Sequence, residues 1–146
     1  MREKSFSVLL LILPNCAMSQ DVLVLGAGVS GLTCGILLLQ KHFQVTLLAS
    51  QFPPFTTSNI AAAVWYPFKA APREKILRWS QLSFQKFEEL SSDPESGISW
   101  IEFTELHAQS VPDPWWSSAV SSIRKLSLHE IPFPYQTGFT ATVPVA

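Results

Sequence analysis

The stretch DVLVLGAGVSGLTCGILLLQKHFQVTLLAS, Asp21 to Ser50, decides the fold. Four apolar residues, Val22 to Leu25, read as a short buried strand and run straight into Gly26-Ala27-Gly28-Val29-Ser30-Gly31, a G-x-G-x-x-G turn. A helix follows over Leu32 to Lys41, with Leu32, Gly35, Ile36 and Leu39 at helical spacing. Gln44 to Ala49 reads as a second strand. Strand, glycine turn, helix and strand in this order are the context in which the motif points to a dinucleotide. Gly26 permits the tight turn, Gly28 lets the backbone approach a pyrophosphate, and Gly31 lets the helix pack against the strand. The helix start offers N–H groups and a positive dipole end to phosphate. The alternative is an ordinary glycine-rich strand-to-helix turn. An acid commonly ends the second strand of such units and binds the adenosine ribose. Here Ala49, Ser50 and Gln51 stand in its place, and Ser50 offers only a neutral hydroxyl. No arginine is placed there to receive a 2′-phosphate, which argues against NADP.

The 146 residues suffice for one domain, and 47% hydrophobic against 14% charged residues fits a chain with a buried core. A net charge of −1 gives no reason to expect nucleic acid. Two cysteines set up no disulfide framework, and Cys34, inside the apolar helix, reads as a small core residue. No cluster has metal-ligand spacing, and His107 and His129 read as non-ligands.

The first twenty residues carry Arg2 and Lys4, an apolar run from Phe6 to Leu13, and the small residues Ala17 and Ser19 before Gln20. This fits a secretory leader, and the run is too short to span a bilayer. A competing and preferred reading starts the protein at Met18 and places it in the cytoplasm.

Beyond the second strand, Pro53-Pro54 stiffen a loop that leads to the hydroxyl cluster Thr56-Thr57-Ser58 and then Asn59. Ala61-Ala62-Ala63-Val64 precede Trp65 and Tyr66, so small side chains sit beside large aromatics. Such a run admits a close neighbour, either a helix or a flat ring. Pro72 to Ser92 reads as an amphipathic helix with Ile76, Trp79, Ser83, Phe87 and Leu90 on one face, ended by Asp93-Pro94 and Gly97. Ile98 to Leu106 reads as a strand whose Glu102 and Glu105 belong to a solvated edge. Val111-Pro112-Asp113-Pro114-Trp115-Trp116 reads as a rigid turn, Ser117 to Leu126 as a short helix, and Gly138 to Ala146 as a strand alternating Phe139, Ala141, Val143 and Val145 with Thr140, Thr142 and Pro144.

The order GAGVSGL, PFTTSNIAAAVWYPF, VPDPWW and RKLSLHEI resembles the D-amino acid oxidase family, and AAAVWYPF is most similar to its bacterial members. The first motif is shared by many flavoproteins, whereas the second and third are more specific. The resemblance covers residues 20 to 146. It implies an α/β protein: an incomplete Rossmann-like FAD-binding unit over residues 21–95, and the start of a mixed-sheet substrate domain over 96–146. It implies FAD as cofactor, a D-amino acid and O2 as partners, and oxidative deamination to a 2-oxo acid with ammonia and hydrogen peroxide. Neither membrane nor nucleic acid is implied as a partner. FAD contacts would fall on Ala27, Gly28, Val29, Ser30 and Gly31 at the pyrophosphate, Ser50 at the ribose, Thr56, Thr57 and Ser58 near the phosphates, and Ala62, Ala63 and Val64 at the isoalloxazine edge. Tyr66 would stand near the substrate end. Ser50 departs from the acid of the animal enzymes. Ala63 and Tyr66 depart from the animal pattern and agree with the bacterial one. The family chain is considerably longer, and the residues that bind substrate carboxylate lie outside the resemblance. No catalytic residue is therefore expected among these 146, and the chain alone is expected to be inactive. D-aspartate or glycine oxidase, or a non-catalytic truncated product, are the alternatives.

Overall fold

The computed structural model describes residues 7–11, 20–61, 63–67 and 69–146. Ala17, Met18 and Ser19, which bear on the leader and internal-start readings, and Ala62 lie outside the described residues. The chain forms two compact units, Met1–Ala61 and Ala62–Ala146.

In the first unit, strand β1 (Ser7–Leu11) and strand β2 (Asp21–Leu25) flank strand β3 (Gln44–Ala49) in the order β1-β3-β2. β2 runs parallel to β3 with Val22 opposite Val45 and Val24 opposite Leu47, and β1 runs antiparallel to it. Helix α1 (Val29–Gln40) connects β2 to β3, which makes a strand–helix–strand unit with parallel strands. α1 begins three residues earlier than sequence periodicity suggests, inside the glycine motif itself. Val45, Leu47 and Ala49 alternate into the buried face of β3. Gly35 lets α1 lie close on that face, since a Cβ there would already touch Val45 Cγ1 at 3.7 Å.

Two expectations fail here. Leu23 and Leu25 of β2 are 57% and 72% exposed, although the apolar run reads as a buried strand. They share the register of Thr46 and Leu48, on the sheet face opposite Val45 and Leu47. Only the α1 face is covered among the described residues. Cys34 is exposed rather than in the core. Gly35 is the residue that α1 turns onto β3, and each neighbouring position lies about 100° further round the helix.

The second unit contains helix α2 (Arg73–Leu90) and an antiparallel sheet of β4 (Ser99–His107), β5 (Ile123–Lys125) and β6 (Thr137–Val145), ordered β4-β6-β5. Pro72, with φ −75° and ψ 143°, is the N-cap of α2, where its missing N–H costs nothing. α2 ends at Leu90, and a 3-10 turn over Pro94–Ser96 follows, capped by Asp93, which accepts from Glu95 N at 2.9 Å, and closed by Gly97 at a left-handed φ of 73°. β6 is the central strand and is covered on both faces: Phe139, Ala141 and Val143 are buried, and so are Thr140 and Pro144. The core gathers Trp65, Phe84, Trp116, Ala119, Phe139, Ala141 and Val143. Trp65 meets Phe84 and Trp116 edge-on, at centroid distances of 5.2 and 5.9 Å. Its indole N–H donates to Ser83 Oγ at 3.0 Å, so this buried polar atom is satisfied.

The helix expected over Ser117 to Leu126 does not form. A single 3-10 turn spans Ser117–Ala119, and Ile123–Lys125 pairs with β6 as an edge strand. Pairing with a buried strand outweighs weak local helix propensity here.

Candidate functional site

In the first unit, β2 ends at the glycine turn. Gly26 has φ +103°, and its N–H continues the ladder by donating to Leu48 O at 2.8 Å. Gly31 sits against Gly26: a Cβ there would lie 2.0 Å from Gly26 O. The start of α1 is thereby drawn up against the turn. Gly28 is the N-cap and makes no side-chain cap bond. That role passes to Ser58, 30 residues on from Gly28, whose Oγ accepts from Val29 N–H at 3.0 Å. A Cβ on Gly28 would stand 2.9 Å from the same oxygen. The glycine turn and the hydroxyl cluster, separate in sequence, thus meet as one site.

This site fits a diphosphate. The first turn of α1 contains no acidic residue. The N–H groups of Ser30 and Gly31 belong to the first turn, where no intrahelical carbonyl reaches them. Ser58 accepts from the backbone and keeps its own O–H to donate. Of the expected contacts, Ala27 is buried, Gly28 and Gly31 are half-buried, and Val29, Ser30, Ser50, Thr57 and Ser58 are exposed. Thr56 differs from its neighbours. It is buried, and its hydroxyl donates to Asn59 Oδ1 at 2.7 Å, so it shapes the 3-10 turn over Thr57–Asn59.

In the second unit, Ala63 to Trp65 run beside the end of β6. Trp65 N donates to Pro144 O at 3.0 Å, and Ala146 N donates to Ala63 O at 3.1 Å. Trp65 is buried, while Ala63 and Val64 remain exposed.

Tyr66 then turns into the aromatic cluster. It lies 5.2 Å from Phe103 and edge-on to Trp116 at 5.5 Å. Its hydroxyl donates to Glu105 Oε2 at 2.6 Å. Burial, followed by the hydrogen bond and negative charge of Glu105, pushes the phenol up to about 12, while a Trp116 hydrogen bond pulls the other way. Glu105 is therefore not the solvated edge residue that its sequence context suggests. Its second oxygen, Oε1, is 3.5 Å from His107 Nε2, and both side chains are about one-quarter exposed. The three residues border a cleft of about 240 Å³ that also takes in Arg73 and Trp115. Sequence reasoning missed Glu105 and His107 as site residues. The signal was present: Phe103, Glu105 and His107 recur at the strand period of two, which puts them on one face.

Comparison with known proteins bears on the site. The family described as FAD dependent oxidoreductase (DAO) matches residues 21–113, which include the glycine turn, the hydroxyl cluster, Tyr66 and Glu105. The chain belongs to this family. It is 41% identical to a D-amino-acid oxidase of Rubrobacter xylanophilus over 84% of this chain and 38% of that protein. It is 34% identical to a D-amino-acid oxidase of Dictyostelium discoideum over 82% of this chain and 36% of that protein. A human D-aspartate oxidase is 26% identical over 75% of this chain and 35% of that protein. The chain thus spans little more than a third of the length of these relatives.

Proposed function

We propose that the protein is a D-amino acid oxidase and that these 146 residues carry its cofactor-binding portion. The supporting observation is the glycine turn closed by Ser58 at an acid-free helix start, in a chain 41% identical to a D-amino-acid oxidase. In this reading the pyrophosphate lies at Ala27 to Gly31, with the N–H groups of Ser30 and Gly31 and the hydroxyls of Thr57 and Ser58 as donors. Thr56 supports that turn from beneath. Ser50 donates to the ribose as a neutral partner, which is weaker than a carboxylate would be. Ala62, Ala63 and Val64 leave room for the ring, and Tyr66 stands at the substrate end. Bound FAD supplies the acceptor for the hydride leaving Cα and the path of two electrons to O2. The chain's own contribution is to hold the phosphates, leave a flat space and present a neutral phenol. The imino acid released hydrolyses to a 2-oxo acid and ammonia, and O2 becomes hydrogen peroxide. Turnover belongs to the whole protein, and these 146 residues on their own are expected to release no peroxide.

The similarity to a D-aspartate oxidase favours one second reading, in which the substrate is acidic. Peroxide release from the flavin-loaded whole protein with D-alanine, D-aspartate and glycine separates the two. A protein that stays colourless when FAD is added would refute both.

A further inference from the structure

Tyr66 has more than packing to hold it. Its ring is wedged between Phe103 and Trp116. Its hydroxyl makes a 2.6 Å hydrogen bond to Glu105 Oε2, the length of a charge-assisted bond to a carboxylate. Glu105 in turn has a polar neighbour at each oxygen. Oε2 takes the phenol, and Oε1 stands 3.5 Å from His107 Nε2. The carboxylate sits on β4 opposite Phe139 of the central strand, so its backbone is anchored as well. Phe139 faces Trp116 at 5.5 Å and His107 at 6.1 Å, which closes the cluster around these three polar groups. Two other charged residues, Arg73 and Asp113, border the same cleft. Arg73 lies over the Trp115 ring, 5.9 Å from its centre.

From this geometry we infer that Glu105 is the positioning residue for Tyr66, with His107 standing against its second oxygen, and that the three form a contiguous polar string along the wall of the cleft. The inference rests on the reading of Tyr66 as a residue at the substrate end. A carboxylate is suited to the role because it accepts without competing as a donor. It therefore fixes the phenol proton on the tyrosine and the direction in which that proton points. A side chain that only packed against Tyr66 would hold the ring but give the phenol proton no acceptor.

The test uses Glu105→Ala, Glu105→Gln and Tyr66→Phe. Phenol ionisation is followed by ultraviolet absorbance in this chain, with the Tyr66→Phe difference spectrum isolating Tyr66 from Tyr135. Both Glu105 variants should move the Tyr66 midpoint down from about 12 toward the ordinary value of 10. In the flavin-loaded whole protein, Tyr66→Phe and Glu105→Ala should each change KM for the amino acid by about tenfold, the effect of losing one well-made polar contact. Glu105→Gln keeps an acceptor and should recover most of that loss, which a merely structural role would not produce. A Tyr66 midpoint unmoved in Glu105→Ala overturns the proposal. So does an unchanged KM in Glu105→Ala where Tyr66→Phe raises it. If Tyr66→Phe itself leaves KM unchanged, it is the substrate-end reading of Tyr66 that fails, and the positioning role falls with it.

Discussion

Replacing Gly31 by alanine should be far more damaging than the same change four residues along the helix at Gly35. At position 31 the new Cβ would lie 2.0 Å from the carbonyl oxygen of Gly26 and 2.9 Å from its carbon. That is well over an ångström short of ordinary contact, and both partners are backbone. No rotamer change relieves it, so either α1 must move off the turn or the turn must open. Overpacking of this kind costs about 1–3 kcal/mol and more where backbone must shift, so about 3 kcal/mol is expected. Against a total stability of about 5–15 kcal/mol that is a large fraction. At position 35 the Cβ would meet Val45 Cγ1 at 3.7 Å, an ordinary contact. There the gain of about 1 kcal/mol in helix propensity should dominate. Urea unfolding followed by circular dichroism, which sees α1 and its sheet, reads both, and with a slope of about 1–1.5 kcal/mol/M the Gly31→Ala midpoint should fall by about 2–3 M. FAD affinity should fall in parallel, because the displaced helix start carries the N–H groups of Ser30 and Gly31. Equal midpoints for Gly31→Ala and Gly35→Ala would refute the reasoning, since the two substitutions would then not differ in what their methyl groups meet.

Other consequences can be measured alongside. Ser58→Ala removes the acceptor of Val29 N–H and should cost about 1 kcal/mol, the usual worth of an N-cap. In a Gly28→Ala background the same change should cost less or even help, because Ser58 Oγ is the atom the new methyl strikes, and a double-mutant cycle reads that coupling. For Tyr66 the folded value of about 12 lies above the ordinary 10, so the native state holds its proton more tightly. Stability should therefore be unaffected by this group below pH 10 and should fall as pH rises from 10 through 12. The ceiling is about 1.4 kcal/mol per pH unit, reduced by solvent at this part-exposed site. Denaturation at pH 9 and 11 should show a steeper loss in wild type than in Tyr66→Phe. Glu130, paired through both oxygens with Arg124, is held down at about 2, below the ordinary 4.5. Its contribution is present above pH 4.5 and is lost as pH falls toward 2. NMR titration of its carboxyl carbon should show the low midpoint, and Arg124→Gln should raise it.

The Asp21 to Ser50 stretch determines its own local fold because every step is short-range. A glycine at positive φ, a helix start and two strand-forming runs follow one another within the stretch, and what comes from outside it, Ser58 at the helix start and β1 at the sheet edge, is added to a unit already specified. Motif order likewise carried the family. Which face of each element is buried was decided by tertiary structure. Leu23 and Cys34 look like core in sequence and are exposed, because burial depends on what covers a face and not on the residue alone. Ile123 left a helical context to pair with β6 for the same reason. The joining of Val29 to Ser58 and of Tyr66 to Glu105 was likewise decided only in three dimensions. Those partners are 29 and 39 residues apart, and no spacing rule links them. Hydrogen bonds at such separations exist only once the sheet and the aromatic cluster have brought their ends together.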